Sequence, residues 1–136
     1  MNDSASMDAG SAAAPLVLVV DDFEDMRFMY SEYLSRLGYR VATAADGEEG
    51  LRVARSLRPA VVVLDLAMPV MDGWETARQL RSHEETKRAV IIALTGNANA
   101  KNRRLAMEAG CDHFIAKPLL PAELDVLIRR VLARSE

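Results

Sequence analysis

The chain has 136 residues, of which 50% are hydrophobic and 27% charged, and its net charge is −3. That size fits one domain with enough apolar surface for a core, and the slightly acidic balance argues against a dedicated nucleic-acid binder. A single cysteine, Cys111, excludes an intramolecular disulfide and a Cys-based metal cluster, and it suits a reducing compartment, so a cytoplasmic location is expected.

The N-terminus has neither a basic region nor a long apolar core, so no signal peptide is expected. The longest apolar run, Ala12 to Val20, contains Pro15 and is too short to span a membrane. Residues 1–14 are rich in Ala, Ser, Gly and Asp and read as a disordered tail, with Met7 as an alternative start; the folded domain is expected over 15–136. Leu16 to Val20 (LVLVV) reads as the first strand, apolar throughout, and ends at Asp21 and Asp22. From Glu24, residues Met26, Met29, Tyr33, Leu34 and Leu37 recur at helical spacing, and Gly38 follows as the stop. Tyr39 to Ala44 is a second strand, shorter in apolar content and therefore expected at a sheet edge.

Asp46 with Glu49 three residues on resembles a capping box. The helix behind it is expected to bury Leu51, Ala54 and Leu57 and to stop before Pro59. The stretch VVVLDLAMP, from Val61 to Pro69, organises the rest: four apolar residues, three of them β-branched, read as a strand buried on both faces that runs into Asp65. PVMDG is a loop, with Asp72 as N-cap of a helix from Gly73 to about Ser82 whose inner face is Trp74, Ala77 and Leu80. Ala89 to Leu94 is a fourth buried strand, followed by Thr95 and Gly96. Asn97 to Ala109 is a weakly amphipathic helix with Leu105, Ala106 and Ala109 facing in, stopped by Gly110. His113 to Ala116 is a short fifth strand running into Lys117 and Pro118, and Pro121 begins a last helix with a stripe of Leu124, Leu127, Ile128 and Val131.

Five strands alternating with five helices imply an α/β fold: a parallel sheet with right-handed crossovers and helices on both faces. In such a sheet all C-terminal strand ends share one edge, where ligands bind. Asp21, Asp22, Asp65, Thr95 and Lys117 all follow or end strands, so residues scattered through the chain should converge there. Carboxylates brought together repel, and a hard divalent cation such as Mg²⁺ relieves that repulsion with oxygen ligands. Lys117 can pair with Asp65 or with an incoming phosphoryl oxygen, Thr95 adds a hydroxyl, and Gly96 lets a backbone N–H approach a ligand closely. Together these groups make a site for phosphoryl transfer to an aspartate.

Asp65 lies 43 positions after Asp22, Thr95 lies 30 after Asp65, and Lys117 lies 22 after Thr95. With LVLVVDD, LDLAMPVMDG, ALTGN and EAGCDHFIAKP, the chain resembles the receiver domain of two-component response regulators, over Leu16 to Leu132. The resemblance implies a flavodoxin-like, doubly wound (βα)5 fold with strand order 2-1-3-4-5. It implies that Asp65 accepts a phosphoryl group from a phosphohistidine on a sensor histidine kinase or a histidine phosphotransfer protein. Asp22 would bind Mg²⁺ (or Mn²⁺) directly, Asp21 mostly through water, and Asp65 and the Ala67 carbonyl would share the shell. Thr95 and Lys117 would hold the phosphoryl oxygens, with the Ala67 and Gly96 backbone beside them, and the Lys117–Pro118 peptide would be cis. Thr95 and Phe114 would be the switch pair, and Ala67 and Asn97 would set how long the phosphoryl group lasts. The responding surface would be the fourth helix, fifth strand and fifth helix, carrying Lys101, Arg103, Arg104, Arg129 and Arg130, and would meet a downstream protein or a second copy of the chain. No direct nucleic-acid binding and no membrane insertion are implied, and the domain would be a phosphoacceptor with slow self-dephosphorylation rather than an enzyme.

Other readings are weaker. A haloacid-dehalogenase-type phosphatase needs a second Asp two residues after the nucleophile, where Ala67 stands. A flavin or nucleotide module needs a Gly- or Ser/Thr-rich phosphate loop after the first strand, where Asp21, Asp22 and Phe23 stand. A docking scaffold that is never phosphorylated would lack some of the five site residues. A receiver that belongs to a larger regulator with a separate output domain stays open. His83 and His113 lack partners in metal spacing, Cys111 reads as a packing residue, and Trp74 reads as packing near the site.

Overall fold

The computed structural model describes residues 14–68 and 71–135. The expected disordered tail lies outside the described residues except for Ala14, as does part of the PVMDG loop. The element order is β1 (Leu16–Val20), α1 (Glu24–Arg36), β2 (Arg40–Ala44), α2 (Gly47–Leu57), β3 (Val61–Asp65), α3 (Gly73–Ser82), β4 (Val90–Thr95), α4 (Ala100–Ala109), β5 (His113–Ala116) and α5 (Pro121–Ser135). All strand pairs are parallel, in the order β2-β1-β3-β4-β5. This is the flavodoxin-like order expected from the sequence.

The three central strands are the apolar runs. Every residue of β1 and β3 is buried, and in β4 all but the first. Strands covered on both faces need no polar alternation, and each fully buried Val, Leu or Ile contributes about 1.5–3 kcal/mol. Two apolar clusters result, one per face of the sheet. One gathers Leu18, Val62, Leu64, Ile91 and Phe114 with Ala77, Leu80 and Ala106 from the helices. The other gathers Val17, Val19, Val63, Ile92 and Leu94 with Tyr30, Leu34, Leu124 and Ile128. Strand β2 is half-exposed at the edge, as its mixed composition predicts.

The helix starts follow the caps. The Asp46, Asp72 and Asn99 side chains accept the backbone N–H groups of Glu49, Glu75 and Asn102 at 2.8, 2.8 and 2.7 Å. The Asn99 cap places the start of α4 at Ala100, later than the Asn97 expected from periodicity. Inner faces shift by part of a turn. In α1 the buried residues are Tyr30 and Leu34, whereas Met29, Tyr33 and Leu37 form a parallel, exposed stripe about 80° round the helix. Leu57 and Leu105, expected inside, are likewise exposed, whereas Ala54, Ala106 and Ala109 face inward as expected. Small residues let those helices approach the sheet closely.

Arg81, at the C-terminal end of α3, ties the lower edge together. Its guanidinium donates to the carbonyls of Gly110 (2.9 Å), Lys87 (2.9 Å) and Ala89 (2.6 Å) and to Asp112 Oδ2 at 2.6 Å. Asp112 Oδ2 also accepts the Ile91 N–H at 2.8 Å. Gly110 closes α4 with φ of 109°, a left-handed position that favours glycine.

At the upper edge, Gly73 allows α3 to begin directly beneath the end of β3. A Cβ there would lie 2.5 Å from Leu66 Cα and 2.7 Å from the Asp65 carbonyl oxygen. Both are backbone atoms, so the clash is relieved only by moving the end of β3 or the start of α3. Gly73→Ala is expected to lower stability by about 2–3 kcal/mol, read as a lower urea midpoint at unchanged slope.

Candidate functional site

The register brings the strand-end residues together. Val20 pairs with Leu64, and Asp65 pairs with Leu94, so Asp21, Asp65 and Thr95 stand abreast at one edge. Ladder hydrogen bonds run one step past the strand ends: Asp21 N–H to Ala44 O (3.1 Å), Leu66 N–H to Leu94 O (3.0 Å) and Lys117 N–H to Thr95 O (2.7 Å). Asp21, Asp65 and Lys117 therefore hang from main chain fixed on a neighbouring strand.

Carboxylate oxygens of Asp21, Asp22 and Asp65 lie within 4.8 Å of one another, the group among the described residues able to hold a metal ion. Asp21 and Asp65 are buried and Asp22 is exposed, which leaves the cluster open on one side. The Lys117 ammonium lies 3.2 Å from Asp65 Oδ2 and 3.7 Å from Asp21 Oδ2. Asp65 Oδ1 accepts the Ala67 N–H at 3.1 Å, and Asp21 Oδ1 accepts the Phe23 N–H at 2.9 Å. Burial holds the Asp65 carboxyl above the ordinary aspartate range; the Ala67 N–H and Lys117 pull it back, and Asp21 pushes it further up. All-oxygen donors, with no His or Cys among them, fit a hard divalent cation.

Thr95 is buried at the end of β4, and its Oγ1 accepts the Asn97 N–H at 3.0 Å. Asn102 Nδ2 donates to the Asn97 carbonyl at 2.8 Å, joining the β4–α4 loop to the first turn of α4. Gly96 and Ala67 are exposed beside the cluster, and a Cβ on Gly96 would meet open space. The Lys117–Pro118 peptide is cis. Phe114 lies deeper, buried in the cluster with Ala106 rather than at the mouth. Lys101, Arg103, Arg104, Arg129 and Arg130 are exposed on α4 and α5, and Arg129 Nη2 pairs with Asp125 at 2.8 Å.

The residues set aside from the sequence stay outside the cluster. A His83 ring nitrogen lies 2.7 Å from the Gln79 carbonyl oxygen. Cys111 is buried, and burial pushes its thiol up to about 11. Trp74 packs on the apolar cluster below the site. Two residues near the site were not legible from periodicity. Arg27 Nη1 donates to the Asp21 carbonyl at 2.8 Å, and the Tyr30 hydroxyl donates to the Leu119 carbonyl at 2.7 Å. The available signal was an arginine one turn into the helix after the acidic pair, placed to reach back over the N-terminal turn.

Comparisons with known proteins agree with this geometry. The family model described as "Response regulator receiver domain" matches residues 17–129. The transcriptional regulatory protein AfsQ1 of Streptomyces coelicolor is 38% identical over 122 residues, covering 90% of this chain and 53% of AfsQ1. The chain spans about half the length of the curated relatives it matches. The chemotaxis protein CheY4 of Vibrio cholerae superposes with a TM-score of 0.84 at 35% identity, covering 88% of this chain and 99% of that one. The receiver domain of the sensor histidine kinase PA1611 from Pseudomonas aeruginosa, solved with magnesium coordinated in its active-site cleft, matches with a TM-score of 0.79 at 36% identity, covering 87% and 97%.

The raised Asp65 has a consequence for stability without metal. A carboxyl raised in the fold favours its neutral form there, so the stability present below the unfolded carboxylate value is lost as the pH rises through the folded one. Asp65→Asn should melt about 2–5 °C higher than wild type at pH 7 in chelator, and the difference should vanish as the pH falls through the carboxylate range. A mutant that melts lower at pH 7 contradicts this account.

Proposed function

Since the chain belongs to the response regulator receiver family, a signalling rather than an enzymatic family, we propose that Asp65 is its phosphoacceptor and that residues 15–136 form the receiver unit, with 1–14 as a tail. The observation that carries this is the Lys117 ammonium at 3.2 Å from a buried Asp65 that shares its edge with two further carboxylates. An Asp65 oxygen attacks the phosphorus of a phosphohistidine on a sensor kinase or phosphotransfer partner. An O–P bond forms, the P–N bond breaks, and the imidazole leaves with a proton from solvent. Asp22, Asp21 and Asp65, with the Ala67 carbonyl, would hold Mg²⁺ or Mn²⁺. Such a cation supplies positive charge against the carboxylates and the phosphoryl oxygens. Lys117 then exchanges part of its pairing with Asp65 for a phosphoryl oxygen, and the Thr95 hydroxyl and the Gly96 and Ala67 N–H groups donate to the others.

The phosphoryl group adds about −1.5 to −2 charges at this edge. Thr95 moves toward it and gives up its bond to Asn97. Phe114 is already buried, so in this chain the inward ring position is available before phosphorylation. The α4–β5–α5 face, with Lys101, Arg103, Arg104, Arg129 and Arg130, changes as the β4–α4 loop moves and engages a protein target or a second copy. The length of the curated relatives supports a second arrangement, in which this receiver controls an output domain of a longer regulator. Among the described residues no helix is long and apolar enough to cross a membrane; the location proposed is the cytoplasm, on the single cysteine that suits a reducing compartment.

Incubation with acetyl phosphate and Mg²⁺ should add one phosphoryl group by intact mass; chelator or Asp65→Asn should abolish it. A persistent adduct in Asp65→Asn would move the acceptor elsewhere. Ala67 leaves the hydrolytic water without polar positioning, so Ala67→Asn should change the decay rate of the adduct; identical decay refutes that role.

A further inference from the structure

Lys117 must reach from the end of β5 across β4 to Asp65 on β3, so its function depends on where the main chain after β5 is held. Four hydrogen bonds hold the main chain of residues 117–120, one of them the α5 bond from the Leu124 N–H to the Leu120 carbonyl at 3.0 Å. The Lys117 N–H donates to Thr95 O at 2.7 Å, the Leu120 N–H donates to Glu123 Oε1 at 2.9 Å, and the Leu119 carbonyl accepts the Tyr30 hydroxyl at 2.7 Å. Pro118 between them has no N–H to contribute. Tyr30 is fully buried on α1, in the cluster with Leu34 and Leu124. An alkyl or phenyl group would fill that volume, so the hydroxyl is the distinguishing feature. Its bond crosses 89 positions of chain to the loop that carries the lysine. One turn earlier, Arg27 holds the Asp21 carbonyl at 2.8 Å. Helix α1 thus grips both main-chain segments that frame the acidic cluster.

We propose that Tyr30 is a positioning residue for phosphoryl transfer: its hydroxyl fixes the Leu119 carbonyl and thereby the reach of Lys117 to Asp65. This rests on the receiver reading above. Burial, with Asp21 and Glu123 nearby, pushes the phenol up to about 12, so it donates at neutral pH. The hydroxyl contributes through Lys117 and not through the acidic residues, so it should affect transfer and leave metal binding alone.

The test compares wild type, Tyr30→Phe, Lys117→Ala, the double variant and Tyr33→Phe, an exposed tyrosine on the same helix as control. The readouts are adduct formation from acetyl phosphate at saturating Mg²⁺, Mg²⁺ affinity by calorimetry, and the melting midpoint. Tyr30→Phe should slow adduct formation about tenfold. Its Mg²⁺ affinity should stay within about twofold, and on the Lys117→Ala background it should change the rate by less than about twofold. An unchanged rate in Tyr30→Phe overturns the proposal, even with a lower melting midpoint. An equal loss on the Lys117→Ala background, or a parallel loss of Mg²⁺ affinity, also overturns it, because the hydroxyl would then serve the fold alone. If wild type takes no adduct, the receiver reading fails; if wild type takes one and Tyr30→Phe matches it, only this inference fails.

Discussion

Three carboxylates whose oxygens lie within 4.8 Å of one another repel, and the partial burial of two of them weakens the screening by water. The fold meets this repulsion with rigidity and with the Lys117 ammonium. Rigidity comes from adjacent central strands, β1 and β3, buried on both faces, with ladder bonds continuing past their ends. The main chain that carries Asp21 and Asp65 cannot move apart without breaking those bonds. The cation arrives from two strands away: Lys117 leaves β5, passes over the end of β4 and meets Asp65 and Asp21. Neighbouring strands are about 4.8 Å apart, so the reach calls for a long, unbranched side chain with its charge at the tip.

The sheet and this cluster were legible in the sequence for the same reason. A strand buried on both faces writes itself as a continuous apolar run, and polar residues at the ends of such runs must share an edge once the strands are parallel. VVVLD and LVLVVDD carry both signals in adjacent letters. The inner faces of the helices were less legible. In α1 two stripes have equal apolar spacing, and only the packing of Tyr30 and Leu34 on the sheet decides between them. The start of α4 depended on which asparagine caps it, and Asn97, Asn99 and Asn102 are chemically alike.

Least legible were the long-range polar clips. Arg81 binds Gly110 and Asp112 about thirty positions away, Tyr39 donates to the buried Asp125 at 2.8 Å, and Tyr30 reaches Leu119. No periodicity announces such pairs, because each depends on two elements already being in place. They share a logic: each satisfies a polar group at the margin of an apolar cluster, where an unmet partner would cost about 1–3 kcal/mol. Apolar burial sets which elements pack, and the clips set how far each can slide.

The burial of Cys111 bears on how this molecule can be handled. Burial pushes its thiol up to about 11, so the thiolate is scarce at neutral pH, and the residue is only 4% exposed. Toward maleimides and other thiol reagents the native chain is therefore expected to react far more slowly than one with an exposed cysteine. A single cysteine introduced on the exposed side of α4 or α5 would take a fluorophore or spin label selectively, with the natural thiol left in the core where it contributes to packing.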